Sequence, residues 1–432
     1  MNILPSLVSV GLLGALLAAH APAQEWTRFR GPNGSGVSKA TTIPVRWTEK
    51  DYNWKVRLPG AGHSCPVLWG ERLFVTAAKE ETGERTLVCL DAGDGHHLWA
   101  REFAGARHGK HRDNSFASST PAVDEHHVYV CWASPKEYLV IALTHDGKEA
   151  WRADLGAFRS GHGFGASPIV HEDLVVVAND QDGPGFLIAL EGKSGKVRWK
   201  LPRRSRASYT TPCVYRPKDG PAQLLFTNYE HGVTAIDPKT GKVAWELDLF
   251  DKRHIETAIG SPIVAGDLVL ASCGWLGVRQ EVVAVRPPAG EPEAKAKEAY
   301  RIGRSAPLCT TPLAVGDLLF LWGDNGVVTC ADLHSGAVHW RERVPGSYYA
   351  SPVCVGERLY NISREGDVVV LAASKRHELL ARNRVDEGSH STPAVAGGRL
   401  YLRTFTHLIS LGSSQTKRPI LKDATRGNSY QR

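Results

Sequence analysis

Ten polar side chains stand at comparable places along this chain and could meet in one small space. His63, Asn114, His162, Tyr209, Glu256, Tyr348 and His390 lie in segments that lead into a proline-marked strand, whereas Asp180, Asp324 and Arg364 lie in turns that follow the next strand. Convergent imidazole, phenol, amide, carboxylate and guanidinium groups can orient a ligand. Neutral imidazoles with a carboxylate are also competent zinc or copper ligands. Here His63, His162 and His390 fall on repeats one, three and eight, with Glu256 on the fifth, a spread across a ring that is too wide for shared coordination, so no metal is expected. The ten residues are therefore read as ligand-binding candidates at a channel mouth. The plainer account is that they solvate a water-filled channel. His108 and His111 sit among the cations of Arg107–Arg112, which oppose a metal and favour an anionic ligand.

Other catalytic patterns do not form, and no residue is assigned a catalytic role. No Gly-x-Ser-x-Gly elbow occurs at a strand-to-helix turn, and Gly31–Gly36 lacks the Lys-Ser/Thr pair of a phosphate loop. The eight cysteines show no CxxC spacing and no adjacent pair, which favours small buried hydrophobes over zinc or redox chemistry.

The elements that must position these groups are read from an internal repeat. A Ser, Thr or Cys before Pro returns at Pro66, Pro121, Pro168, Pro212, Pro262, Pro312, Pro352 and Pro393, each followed by an apolar run. The interval suits four short strands and their turns, as in a propeller blade. A second β-branched run follows, such as Leu73-Phe74-Val75 or Leu174-Val175-Val176. Most repeats close with a Gly turn and a Trp four residues on, as in Gly95 to Trp99, Gly147 to Trp151, Gly195 to Trp199, Gly241 to Trp245 and Gly336 to Trp340. Glycine supplies the positive φ of the turn, and the Trp fills space between neighbouring sheets.

The first closing strand, at Trp54–Leu58, precedes the first proline, and nothing closes the last repeat. Pairing that N-terminal outer strand with the C-terminal blade seals the ring. The fold expected is all-β: an eight-bladed β-propeller of four-stranded antiparallel blades over residues 54–411. A proline in each innermost strand suits a sheet edge facing the channel. Residues 24–53 read as an N-terminal strap anchored by Trp26 and Phe29.

The chain of 432 residues carries a net charge of +7, with Lys417, Arg418, Lys422, Arg426 and Arg432 gathered in a basic, mobile tail at 412–432. No basic stripe with interleaved aromatics appears, so nucleic acid is not an expected partner. The uncharged stretch from Ile3 to Ala19, ending at Ala21-Pro22-Ala23, reads as a cleaved signal peptide over residues 1–23. No later run is long enough to span a bilayer, and no cysteine follows the apolar segment to carry a lipid. A periplasmic or secreted monomer is expected.

The Ser/Thr-Pro strand, the Asp237–Lys242 turn and the closing Trp resemble the PQQ-type repeat. That resemblance implies the eight-bladed propellers of quinoprotein dehydrogenases and of BamB-like outer-membrane assembly factors. Trp26–Gly34 also resembles the opening of secreted bacterial PQQ-binding-like propellers. Quinoprotein dehydrogenases hold PQQ against an adjacent-cysteine disulfide and bind calcium through a Glu, an Asn and an Asp. Adjacent cysteines are absent here, and a calcium triad cannot be placed. Because fold alone does not give function, the expectation is a non-catalytic binding or assembly scaffold engaging a protein or a cell-envelope polymer, with no cofactor. The alternatives are an oxidoreductase using PQQ and calcium, or a small-ligand or carbohydrate sensor.

Overall fold

The computed structural model describes residues 26–253, 256–275, 278–288 and 295–413. The expected signal peptide, nearly all of the basic tail and part of the polar insertion at 291–297 lie outside the described residues. Eight antiparallel sheets, each containing four strands of one blade, form the ring. Blades one to seven run Val67–Phe103, Ala122–Asp154, Ile169–Ser205, Cys213–Leu247, Ile263–Ile302, Leu313–Arg343 and Val353–Arg384 in chain order. The eighth combines Ala394–Ala396, Arg399–Arg403 and His407–Leu411 with the N-terminal strand Tyr52–Arg57, which pairs antiparallel to His407–Leu411.

The middle strands of each blade are buried on both faces and are rich in Val, Leu and Ile. In blade three Leu174–Asn179 is buried throughout. The outer strands alternate, as in Tyr52–Arg57, because one face meets solvent. The glycine turns give the Trp spacing its physical meaning. At positive φ, Gly95, Gly147, Gly195 and Gly241 each lie against the closing Trp of the preceding blade, namely Trp54, Trp99, Trp151 and Trp199. A Cβ at Gly95 would stand 2.7 Å from the Trp54 ring, so only glycine lets the ring dock. The indole N–H then donates to a backbone carbonyl of that same turn, Trp54 to Ala92 and Trp151 to Gly192. Where the fifth blade carries the insertion, Trp245 turns instead to Gln223 of its own blade.

One local expectation is corrected. The repeated prolines stand one residue before the innermost strands rather than within them, since those strands begin at Val67, Ala122, Ile169, Cys213, Ile263, Leu313, Val353 and Ala394. A residue without an N–H cannot join the ladder, so pairing starts after it. The Ser or Thr before each proline latches blade to blade. The amide N–H of Cys65 donates to Thr120 Oγ1, Thr120 to Ser167 Oγ, Thr211 to Ser261 Oγ, Ser261 to Thr311 Oγ1, Thr311 to Ser351 Oγ and Ser351 to Thr392 Oγ1, all at 2.9–3.0 Å. Thr392 N–H turns to the Cys65 sulfur, which continues the belt across the closure. All eight cysteines are free thiols, seven of them buried.

The strap runs along the innermost strands of the ring. Trp26 and Thr27 carbonyls accept from Leu68 and Val123 N–H, Asn33 exchanges two hydrogen bonds with Val214, and Val37–Ser38 adds a parallel strand to blade seven. Arg28 donates to the Pro212 carbonyl, and Arg30 to those of Pro312 and Pro352. The carbonyls beside the prolines thus become acceptors for two buried guanidiniums. Burial lowers Arg28 to about 10 and Arg30 to about 9.

Candidate functional site

Above the strap lies a central cavity of about 440 Å³. All eight pre-proline residues, from Cys65 to Thr392, line it together with Phe29 of the strap. Six of their hydroxyl oxygens each accept one amide N–H of the belt, which leaves their O–H groups able to donate into the cavity. Most of the rest of the wall comes from the connectors that lead from one outer strand to the next inner strand, with Gly274 and Trp275 added from the end of the second strand of blade five.

Five of the ten candidates line this cavity: His63, Asn114, His162, Tyr209 and His390. A sixth, Arg364, lines an adjoining cleft of about 640 Å³ that shares His63, Asn114 and His390. The ring brings His63 against His390, with centroids 4.5 Å apart, because repeats one and eight are neighbours across the closure. The expectation that these histidines are widely separated is therefore corrected for this pair. Burial first, then neighbouring cations, lowers both: His63 falls well below its usual value and His390 falls to about 4. Both imidazoles are neutral at pH 7. His162 meets Tyr209 and Trp275 edge-on at 6.3 and 6.0 Å. The Tyr209 hydroxyl lies 2.7 Å from Ser160 Oγ, and burial pushes the phenol up to about 12. Asn114 is fixed by donating to the His162 and Phe164 carbonyls.

The other four candidates do not reach the cavity. Asp180 is held by Arg203 between blades three and four, with both side chains buried. Asp324 accepts the Leu308 and Cys309 N–H groups and so braces a connector from behind, where burial raises its pKa. Tyr348 is fully buried, donates to the Pro345 carbonyl and packs edge-on against Trp322. Glu256 is buried in the wall, and its carboxyl is raised by burial and by Glu281. For Glu256 and Tyr348 the reason is that successive connector residues point alternately into the channel and into the blade, with Thr257 and Tyr349 on the channel side, whereas Asp180 and Asp324 lie in turns within a blade and brace its own framework.

That alternation also explains what the sequence reading missed. Tyr349, one residue beyond Tyr348, lines the cavity, as do Asp113, Trp275 and Cys309. Asp113 Oδ1 accepts from Arg364 Nη2 at 3.0 Å, and its other oxygen accepts from the Tyr349 hydroxyl at 3.3 Å. Partners 251 and 236 residues away leave no local signal. The Arg364 guanidinium also stacks over the Tyr349 ring at 4.3 Å.

Among the described residues, a trio of potential metal ligands within 4.8 Å of one another is formed by Asp91, Asp94 and His96, on an exposed turn of blade one and away from the cavity. Asp91 Oδ1 there caps the Gly93 and Asp94 amides.

A family model described as outer membrane protein assembly factor BamB matches residues 45–211, 111–285 and 278–404. Over 281 residues the chain is 25% identical to outer membrane protein assembly factor BamB of Moranella endobia (strain PCIT), an alignment covering 59% of this chain and 66% of that protein. Over 157 residues it is 28% identical to methanol dehydrogenase (cytochrome c) subunit 1 of Paracoccus denitrificans, covering 33% of this chain and 24% of that one. Among solved structures, BamB from Moraxella catarrhalis superposes with a TM-score of 0.60 at 15% identity, over 86% of this chain and 99% of its own.

The dehydrogenase relative makes PQQ and calcium worth testing against the wall. Calcium takes about six to eight oxygen ligands, usually including carboxylates. Asp113 is the only carboxylate lining the cavity among the described residues, and Arg364 and Tyr349 already hold it. Glu256, Asp180 and Asp324 are turned into the protein. This donor set does not fit a calcium-bound quinone.

Proposed function

The chain belongs to the PQQ-like β-propeller family described as outer membrane protein assembly factor BamB, and from that premise we propose that it is a non-catalytic binding and assembly module acting outside the cytoplasm, in the cell envelope, on a protein partner. The observation that carries this reading is an apolar outcrop beside the mouth. Trp275 is 39% exposed and Val278 67% exposed on the hairpin between the second and third strands of blade five. The other exposed large apolar residues, Leu98, Val197, Val243, Val338 and Leu379, lie on outer strands around the rim of the ring. A half-exposed Trp bordering a pocket is the kind of anchor around which protein interfaces concentrate their energy. His390 supports the same reading, because an imidazole held at about 4 is far from the pKa of an efficient general base at neutral pH.

The test is site-specific photocrosslinking from position 278 in cells, with fractionation of the envelope. A discrete adduct in the envelope, abolished by Trp275→Ala while the protein's melting curve is unchanged, is the expected result. The competing reading is tested by adding PQQ and calcium to purified protein in a dye-linked assay over simple alcohols and sugars. Turnover there, without an adduct, would replace the scaffold with an oxidoreductase.

A further inference from the structure

The connector between blades one and two, residues 104–121, bends over the mouth and reaches the opposite side of the closure. Its contacts there converge on one residue, Asp113. Asp113 Oδ1 is bound by Arg364 Nη2 and Oδ2 by Tyr349 Oη, and the Asp113 carbonyl lies 3.2 Å from His390 Nδ1. Arg364 Nε points at His390 Nε2 at 3.3 Å. The same connector is tied on its other flank by Lys110, which meets Glu80 at 3.2 Å and the Asn114 carbonyl at 2.7 Å.

A guanidinium and a phenol closing around one carboxylate, with an imidazole holding the guanidinium from behind, make a built anion receptor at the edge of the central cavity. Its present occupant belongs to the chain itself. We infer that Arg364 and Tyr349, with His390 positioning the guanidinium, form a receptor for the carboxylate of an external apolar or aromatic acid, and that Asp113 fills it as a tethered stand-in that latches the connector over the mouth. The inference stands apart from the partner-binding reading above, which rests on the opposite side of the mouth.

Three observations make the exchange chemically reasonable. Asp113 takes only one nitrogen of the Arg364 fork, so a free carboxylate can replace it with equal or better geometry. The displaced carboxylate is not stranded, since Arg112 Nε and His111 Nδ1 each lie 4.0 Å from it on the solvent side. The cleft's other acids are already engaged: Glu80 pairs with Lys110, and Glu365 accepts from the Ser347 hydroxyl and amide. The body of such an acid would rest against Tyr209, Leu308 and Phe29, which line the cavity beneath. Because Asp113 is tethered, it competes at a high effective concentration, and the intact chain binds the acid more weakly than the receptor alone would.

Calorimetric titration with sodium benzoate, with its neutral isostere benzamide and with inorganic phosphate tests this. Asp113→Asn is expected to bind benzoate about tenfold more tightly than the unaltered chain, the size expected when one charge-assisted competing contact is removed. Arg364→Gln should lose benzoate, and benzamide should bind neither protein. A second measurement needs no variant: tryptic cleavage after Lys110 in the unaltered chain should accelerate several-fold in benzoate and not in benzamide. Equal affinity in Asp113→Asn and the unaltered chain, no binding by a folded Asp113→Asn, or no change in proteolysis would overturn the inference. Phosphate binding as well as benzoate would overturn the apolar-acid assignment. An unchanged adduct at position 278 would show that such a failure leaves the partner reading intact.

Discussion

At the strap the channel buries two arginines against backbone carbonyls; at the mouth a third, Arg364, keeps 31% of its side chain in solvent and meets a carboxylate. Carbonyls are part of the ring and cannot leave, and a desolvated guanidinium is tolerated only while they stay in place. The carboxylate rides on a long connector and can be exchanged. The same residue type therefore acts as a permanent rivet in one region and as a releasable contact in the other. The difference lies in whether its partner is backbone or side chain.

Breaking the strap contacts should give the largest effect. Arg30→Ala leaves the Pro312 and Pro352 carbonyls without their guanidinium partner and opens a void beside the strap, so a loss of about 4 kcal/mol is expected in chemical denaturation. A loss no greater than that of Arg364→Ala would erase the contrast.

At the mouth the next effect depends on pH. His390 has its folded pKa lowered from 6.5 to about 4, chiefly by burial and then by Arg364. Below 6.5 the unfolded chain takes up the proton first, so this group's share of stability is intact above 6.5 and falls away as pH drops toward 4. The total is roughly 3 kcal/mol. His390→Asn should flatten that part of the acid limb when stability is followed by denaturant titration from pH 7 to pH 4. An unaltered acid limb would place the proton uptake elsewhere, with His63 the first alternative, since it shifts in the same direction.

A smaller effect tests the belt between the two regions. Ser261→Ala deprives the Thr211 amide of its acceptor and should cost about 1–3 kcal/mol by thermal melting. The smallest belongs to the exchangeable pair. Arg364→Ala should change stability by about 1 kcal/mol or less, because the ion pair is partly solvated, while altering ligand behaviour most.

The blades were legible because their signals are local and repeated: Pro ends the connector, Gly permits the turn and Trp docks on the next turn. The place of the strap's arginines was not legible, because their acceptors lie 184 to 322 residues away. The mouth was legible only by connector. Tyr348 and Tyr349 are adjacent and chemically alike, and the choice between channel and core is set by backbone direction, which neither type announces. Asp180 and Asp324 carry the charge a site would want, yet each satisfies a blade's own framework. Asp113 gave no signal among its cationic neighbours because its partners, Arg364 and Tyr349, are brought to it only by closure of the ring.

The pairing of Tyr52–Arg57 with His407–Leu411 also sets a clock on how the molecule is made. At synthesis rates of roughly 5–20 residues per second, the first of these strands waits roughly 20–70 s for the second to exist. During that interval the strap has only part of its channel, and two blade faces stand open to other chains. Once the last strand arrives, the ring closes around a strap whose Arg28 and Arg30 are buried against the Pro212, Pro312 and Pro352 carbonyls. Opening the seam then breaks those buried contacts as well, so the finished protein should persist through slow opening as well as through favourable equilibrium.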